Sequence, residues 1–437
     1  MNGQTMKCAG VGLLALALAG QVHAQTGYDF LIKGGHVIDP RNKVSAVRDV
    51  AIKDGKIAAV EPDIPASDAL KSVDATGLYV TPGLVDIHVH VYPGEGTTYS
   101  RGFRSVYPDG FTLRSCVTTV ADAGSSGWRN FDDFKQRIVD QSKTRVVAFL
   151  NIVGAGMAGE AEQNVADMEV KPTADMALKH KGLIVGIKSA HFSGPEWTPY
   201  ERAEEVGRIA DIPVMVDFGS ARVRTIAELF TKYFRPGDIY THAYAGGGRG
   251  EIIDGKVNPA ILEAQKKGII FDIGHGGSSF TFRTAAQAFK EGYYPDSIST
   301  DLHINSMNTA MKDMLNVMGK FLALGMSLDD VLLRSTWNPA REIKLEHLGN
   351  LSIGSPADVA VLRLEKGTFG FVDPRGGRLD GTERLGCEMT LRDGKVVYDL
   401  NGMTREPWDT MAPDERGGDP RWDGISPARP RRATSSR

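Results

Sequence analysis

The chain has 437 residues, 41% hydrophobic and 24% charged, with a formal net charge of −3 at pH 7. This length accommodates one large domain of about 250 residues and a smaller one. So balanced a charge supplies no field for nucleic acid or an anionic membrane, which leaves a small molecule as the expected partner.

Residues 1–24 read as an export signal: Lys7 precedes the apolar run "AGVGLLALALAG", and "VHA" before Gln25 places small residues where a signal peptidase cuts. The run is too short to span a bilayer, and no later segment offers about 20 unbroken apolar residues. The sequence therefore predicts a periplasmic or secreted protein with no membrane insertion once the signal is removed. Removal takes Cys8 with it and leaves Cys116 and Cys387, whose apolar contexts "RSCVTTV" and "LGCEMTL" predict buried free thiols rather than a bonded pair.

From Tyr28 to about Tyr79 the chain alternates short apolar segments with turn signals, and Asp54-Gly55 between two such segments is a hairpin signal. The same style returns in "SPADVAVLRL" and "CEMTLRDGKVVYDL", with Asp393-Gly394 as the turn. Residues 25–80 and 346–405 are therefore predicted to form one small β-sandwich domain from both chain ends. Between them, residues 81–345 alternate β-branched runs with helical stretches, the pattern of βα units around a parallel sheet. Eight runs qualify as strands: "YVTPGLVDIHV", "CVTTVADAG", "VVAFLNIVG", "LIVGIKSA", "IPVMVDFGS", "DIYTHAYAG", "IIFDIGHGG" and "SISTDLH". The fold class is accordingly α/β, a (β/α)8 TIM-like barrel. The Pro-, Asp- and Arg-rich tail, 406–437, is predicted to be extended or disordered.

Barrels of this kind carry their chemistry at the carboxyl ends of the strands. There the first strand offers His88 and His90, the fourth Lys188, the fifth Asp217, the sixth His242 and the eighth Asp301, with His275 just past the seventh. His88 and His90, two apart on a strand, face the same way and can reach one metal. Taken singly, each has an ordinary reading: a strand-end histidine is usually a hydrogen-bonded core residue, and an aspartate caps a helix or pairs with an arginine. Their concurrence at the ends of several strands is what points to a metal centre.

The segments "TPGLVDIHVH", "GIKSA", "DIYTHAYAGGG", "FDIGHG", "STDLH", "TWNPA" and "GNLSIGSPADVAVL" together resemble the amidohydrolase superfamily, in its dihydroorotase-like deacetylase branch. The resemblance runs from "FLIKGGHVIDP" to "LRDGKVVYD". It implies two divalent ions, zinc by donor type: His88, His90 and Asp301 on the first, His242 on the second, and Lys188, carboxylated by carbon dioxide, bridging both. Burial and nearby positive charge favour the free amine that such a carbamate requires. Most relatives place a histidine on strand five, where this chain has Asp217. A carboxylate ligates zinc, so Asp217 is expected on the second metal; the alternative is that it misses the metal and leaves a mononuclear site.

The resemblance further implies a metal-activated hydroxide as nucleophile and Asp301 as proton shuttle. His275, Tyr92 and His191 are candidate substrate contacts, and His303 a candidate partner of Asp301. Relatives that open carboxylate-bearing dihydropyrimidine rings carry arginine where this chain has Tyr92, which disfavours dihydroorotase activity. The expected reaction is hydrolysis of an N-acyl amide or acyl ester, deacetylation foremost. Cyclic amide opening, as in hydantoinases, and an exported non-catalytic binding protein are the alternatives, and a homo-oligomer is left open.

Overall fold

A computed structural model of the chain describes residues 1, 27–100, 104–157, 159–219, 224–412 and 417–426. Apart from Met1, the predicted export signal lies outside the described residues. In chain order the strands are β1 (Tyr28–Asp39), β2 (Val44–Lys53), β3 (Lys56–Glu61), β4 (Ala69–Asp74), β5 (Tyr79–Pro82), β6 (Leu84–Val89), β7 (Val117–Gly127), β8 (Arg145–Asn151), β9 (Ile184–Ser189), β10 (Val214–Val216), β11 (Ile239–Tyr240), the hairpin β12 (Ile252–Ile253) and β13 (Lys256–Val257), β14 (Ile270–Phe271), β15 (Val359–Val372), β16 (Arg378–Arg392) and β17 (Lys395–Asp399).

Both chain ends build one eight-stranded sheet, in the order β17-β16-β15-β5-β1-β2-β3 with β4 also on β1. The strands are thus hydrogen-bonded as one continuous sheet, and side chains from β1–β3 and from β15–β17 pack into one buried cluster, so the two chain ends share a core. In that sheet β1 is irregular between Ile32 and Gly35, so its first half pairs with β4 and its second half with β5. Gly35 permits this, because a Cβ there would stand 2.4 Å from Val80 Cγ2. The two predicted hairpin turns form with positive φ at Asp54, Gly55, Asp393 and Gly394, the geometry that Asp-Gly favours between twisted strands. The turns also abut, since a Cβ on Gly394 would lie 2.8 Å from the Gly55 Cα.

The predicted tail is ordered further than its composition suggested. Trp422 is buried with its ring 5.9 Å from that of Phe30, and Asp423 receives Arg405 Nη1 at 2.9 Å. An indole covering the apolar end of the sheet outweighs the polar residues around it. Residues 427–437 lie outside the described set.

The central region holds a seven-stranded parallel sheet, β14-β11-β10-β9-β8-β7-β6. Every residue of β6, β7, β9 and β10 is buried, as expected when both faces are covered. The predicted first strand is divided: Tyr79–Pro82 pairs with β1 and β15, and only Leu84–Val89 joins the parallel sheet. Gly83 lies between, where a Cβ would stand 2.3 Å from Thr118 Oγ1. The predicted eighth strand, around Ser297–Leu302, meets the two edge strands through isolated parallel bridges, Asp272 with Ser297 and Val89 with Leu302.

Cys116 and Cys387 are bonded to each other across 271 residues of sequence, which corrects the expectation of free thiols. Both are buried as their contexts indicated. Burial, however, occurs where the entry to β7 packs on β16, which brings the sulfurs together. Replacing both cysteines with serine should lower stability by about 2–4 kcal/mol; equal unfolding midpoints for the double variant and wild type under non-reducing conditions would count against the bond.

Candidate metal centre

Because the strands are parallel, their carboxyl ends gather at one end of the sheet. There His88 Nε2 and His90 Nε2 lie 3.8 Å and 3.1 Å from Asp301 Oδ1. Among the described residues, His88, His90 and Asp301 offer ligand atoms all within 4.8 Å of one another. Lys188 is fully buried and places Nζ 3.2 Å from His88 Nε2. Its neighbour Gly124 makes room, since a Cβ there would stand 2.7 Å from the lysine Cβ and Cγ. Burial is the main force pulling the Lys188 amine below its usual range, against the attraction of Asp217 and Asp301. Burial alone would raise Asp301, but the hydrogen bond to His90 and the charge of His88 hold it below the usual carboxylate range.

A second group lies on the neighbouring strand ends. Asp217 Oδ2 is 3.4 Å from His242 Nε2 and 3.2 Å from His191 Nε2, while Oδ1 receives Arg249 Nη1 at 3.3 Å and the Gly219 N–H at 3.1 Å. The His88 and His242 rings are 5.0 Å apart, so the two groups adjoin. Burial pulls the His191 imidazole down, but Asp217 and Glu162 overcome it and push it up to about 10. Asp217 is held well below the usual range although burial opposes this, chiefly by His242 and His191. His191, His242 and Asp301 all have positive φ, at 57°, 63° and 50°. Left-handed backbone at a non-glycine residue costs of order 1–3 kcal/mol and persists where the surroundings dictate the direction of a side chain.

Behind these groups stand carboxylates that the sequence reading did not single out. Asp272, wholly buried, accepts hydrogen bonds from Thr241 Oγ1 at 2.7 Å, Ser297 Oγ at 2.9 Å and Ser299 Oγ at 2.8 Å. The Thr241 hydroxyl, having donated to Asp272, accepts from His88 Nδ1 at 2.8 Å. That assignment leaves His88 Nε2 as a bare lone pair facing Asp301 and Lys188. Asp122 accepts from the Val91 and Ser125 N–H groups at 2.8 Å and 2.7 Å, and Ser125 Oγ meets His90 Nδ1 at 3.0 Å. Asp86 takes the Thr300 N–H at 3.1 Å, with burial pushing it up to about 7. The signal for these residues was present in the sequence as aspartates inside apolar strands, a costly placement that requires partners.

Two predicted substrate contacts lie elsewhere. Tyr92 is buried, donates its hydroxyl to Asp133 Oδ2 at 2.6 Å and packs 5.2 Å from Phe134; it points into the packing behind the first strand, not into the mouth. His275 is wholly buried, stacked 4.7 Å from Phe280, with Nε2 2.7 Å from Lys320 Nζ and Nδ1 2.9 Å from Gly276 O. Both of its nitrogens have partners within the protein. His191 is half-exposed at the site. His303 Nδ1 donates to the Asp301 carbonyl at 2.7 Å, the expected pairing.

The donors fit a divalent ion: His88, His90 and Asp301 offer ligand atoms to one point, and Lys188, His242 and Asp217 lie beside them. No helix among the described residues is long and apolar enough to cross a membrane.

No family model matches the chain. It is 33% identical over 341 residues to a deacetylase of Brucella anthropi, covering 76% of this chain and 83% of that protein. It is 32% identical over 387 residues to a deacetylase of Enterococcus faecalis, covering 85% of this chain and 99% of that one. A solved adenine deaminase matches with a TM-score of 0.77 at 30% identity, covering 85% of this chain and all of that one (100%). A solved dihydroorotase matches at 0.75 and 28% identity, covering 85% and 99%.

Gly274→Ala should displace His88 or His242, because its Cβ would stand 2.5 Å from Thr241 Oγ1 on a backbone at φ 45°. A loss of about 1–3 kcal/mol in thermal or urea unfolding is expected; an unchanged midpoint would contradict the packing. Glu251, which accepts from Tyr240 Oη at 2.9 Å, is pushed by burial up to about 7. The folded state then holds a proton that the unfolded chain releases near 4.5, so this group's contribution falls as pH rises from about 4.5 to 7. Glu251→Gln should remove about 3 kcal/mol of the decline, leaving the part due to Asp86, Glu342 and the other carboxyls that burial pushes up, in unfolding measured across the window.

Proposed function

The chain belongs to the amidohydrolase superfamily and is a hydrolase acting on carbon–nitrogen bonds, and we propose that it removes an acyl group, acetyl foremost, from the amide nitrogen or ester oxygen of a small molecule. The observation that carries this reading is the convergence of His88, His90 and Asp301 on one point at the carboxyl ends of a parallel sheet. The deacetylases it resembles support the acyl reading. Tyr92 stands two residues past His90 with its hydroxyl tied to Asp133; that position presents no cation to a ring carboxylate, which favours acyl cleavage over dihydroorotate-type ring opening.

In this reading His88, His90 and Asp301 hold one ion and His242 and Asp217 the second, with Lys188 between them as a carbamate. The Lys188 amine would bond to the carbon of carbon dioxide and release a proton, giving a carbamate anion able to hold a cation. Zinc held by these donors supplies Lewis acidity, which lowers the pKa of water toward neutrality and polarises the acyl carbonyl. Asp301 is the general base. Its left-handed backbone aims the carboxylate inward, and Gly276 leaves room for it, since a Cβ there would stand 2.2 Å from Oδ2. The carboxylate accepts the proton of the attacking water and returns it to the departing nitrogen or oxygen. His303, at the Asp301 carbonyl, fixes the backbone from which that carboxylate projects.

The same proposal takes the central sheet as a closed (β/α)8 barrel, supported by the two bridges that 297–302 makes with the edge strands. It takes residues 25–80 plus 346–405 and 81–345 as the two domains. It also takes the protein as exported to the periplasm or medium, with the leader-like residues 1–24 and the Cys116–Cys387 bond in support.

Asp301→Asn should lower kcat by about 10²–10⁴-fold on a panel of acetylated amino and hydroxy acids; activity equal to wild type on any substrate turned over would remove Asp301 from the mechanism. Dialysis against a chelator should abolish activity. Zinc should restore it faster with bicarbonate present than in carbon dioxide-free buffer, and restoration indifferent to bicarbonate would argue against a carbamate on Lys188.

A further inference from the structure

Each imidazole in the centre is tied to the protein through Nδ1 and turns Nε2 inward. His88 is held by Thr241, His90 by Ser125 and His242 by the Gly274 carbonyl at 2.6 Å, while their Nε2 atoms face Asp301 or Asp217. His191 repeats the arrangement: Nδ1 meets Glu162 Oε1 at 3.1 Å, and Nε2 lies 3.2 Å from the same Asp217 Oδ2 that His242 faces. A carboxylate on the far nitrogen of a histidine is the usual way to orient a metal-binding imidazole and raise its basicity. His275, both of whose nitrogens are occupied within the protein, and His303, whose nitrogen nearer the Asp301 carboxylate is Nδ1 rather than Nε2, do not share the pattern.

We infer that His191 is a ligand of the second metal position, supplying with Asp217 and His242 the imidazole that strand five lacks. The inference rests on the metal-dependent reading above and extends it to a residue outside the parallel strands. His191 follows the last residue of β9 by two positions and turns back through a left-handed conformation. Glu162, which fixes it, comes from the short helical turn Gly159–Gln163 in the long loop after β8 and is itself buried. Arg249 and the Gly219 N–H occupy Asp217 Oδ1, which leaves Oδ2 for the space between the two imidazoles. The second position would thus hold two nitrogens and one carboxylate oxygen besides the lysine-derived bridge, a donor set suited to zinc.

The test is metal content and cobalt spectroscopy on the full-length mature protein, wild type beside His191→Ala, Glu162→Gln and His88→Ala. His191→Ala leaves the buried Glu162 and Asp217 with one partner fewer, so the metal-free variant should unfold earlier than wild type but still cooperatively, and metal binding is compared well below its midpoint. Expected are about two equivalents of zinc per chain in wild type and about one in His191→Ala, with the d–d spectrum of the second bound cobalt lost. In Glu162→Gln the second ion should bind about 10–100-fold more weakly. His88→Ala should instead weaken the first ion. Two equivalents in His191→Ala with wild-type affinities would overturn the assignment, as would a single equivalent in wild type that His191→Ala leaves untouched. Either result leaves a metal hydrolase standing, whereas no bound metal in any of the four proteins would overturn the reading on which the inference rests.

Discussion

The centre depends on a carboxylate that stands behind it, 3.6 Å from the Nδ1 of His88. Asp272 is wholly buried at the end of β14, and its two oxygens accept hydroxyls from Thr241, Ser297 and Ser299. A buried charge costs several kcal/mol unless its hydrogen bonds are complete, so this one fixes its three donors in place. Those donors belong to the sixth strand end and to the segment that lies between the sheet's two edges. Through Thr241 the same carboxylate sets which nitrogen of His88 carries hydrogen. One anion thereby joins strand order to ligand chemistry: it locates 297–299, from which Asp301 projects two residues later, and it bares His88 Nε2 toward it.

Anchoring these side chains from behind explains where the chain accepts strained backbone. His191, His242 and Asp301 each adopt left-handed φ, and each has a partner that would be lost in a relaxed conformation: Glu162, the Gly274 carbonyl and His90 respectively. Support comes from outside the central sheet as well. Arg145, at the start of β8, reaches Asp358 and Asp393, so the base of the parallel sheet is tied to the sheet made by the chain ends. The Cys116–Cys387 bond crosses the same junction. Rigidity is thus concentrated at the amino ends of the strands, and the carboxyl ends are left to the polar residues that converge there.

The sequence made the positions of His88, His90, Lys188, His242 and Asp301 legible because strand-end polarity is a local pattern, and a local pattern survives folding. What could not be read locally was direction. Tyr92 lies two residues beyond His90 and continues the same alternation, yet the chain has left the strand by then and its hydroxyl turns to Asp133. His275 follows a strand end as His242 does, but a lysine from the helix Met314–Ala323, remote in sequence, occupies its Nε2. The cysteine pair and the docking of Trp422 failed for the same reason: burial was evident from composition, whereas the surface against which each residue is buried is a long-range fact. The end sheet was legible through its Asp-Gly turns. The split pairing of β1, first with β4 and then with β5, was not, because the irregularity between Ile32 and Gly35 does not show in an alternating pattern.

Asp217 is the point at which a local departure has a non-local answer. Placing a carboxylate where an imidazole is usual adds a negative charge to a site already holding Asp301, and like charges in a buried space raise each other's cost of ionisation. The structure meets that charge on both oxygens. Arg249, from the glycine-rich loop after β11, stands at Oδ1, and the imidazoles of His191 and His242 stand at Oδ2. Positive φ at Gly246, Gly247 and Gly248 lets that loop turn sharply enough for Arg249 to reach the strand-five position. The substitution is therefore not an isolated loss of a ligand. It belongs with an arginine, a loop histidine and the glutamate that orients it, four residues from four separate segments that make sense only together.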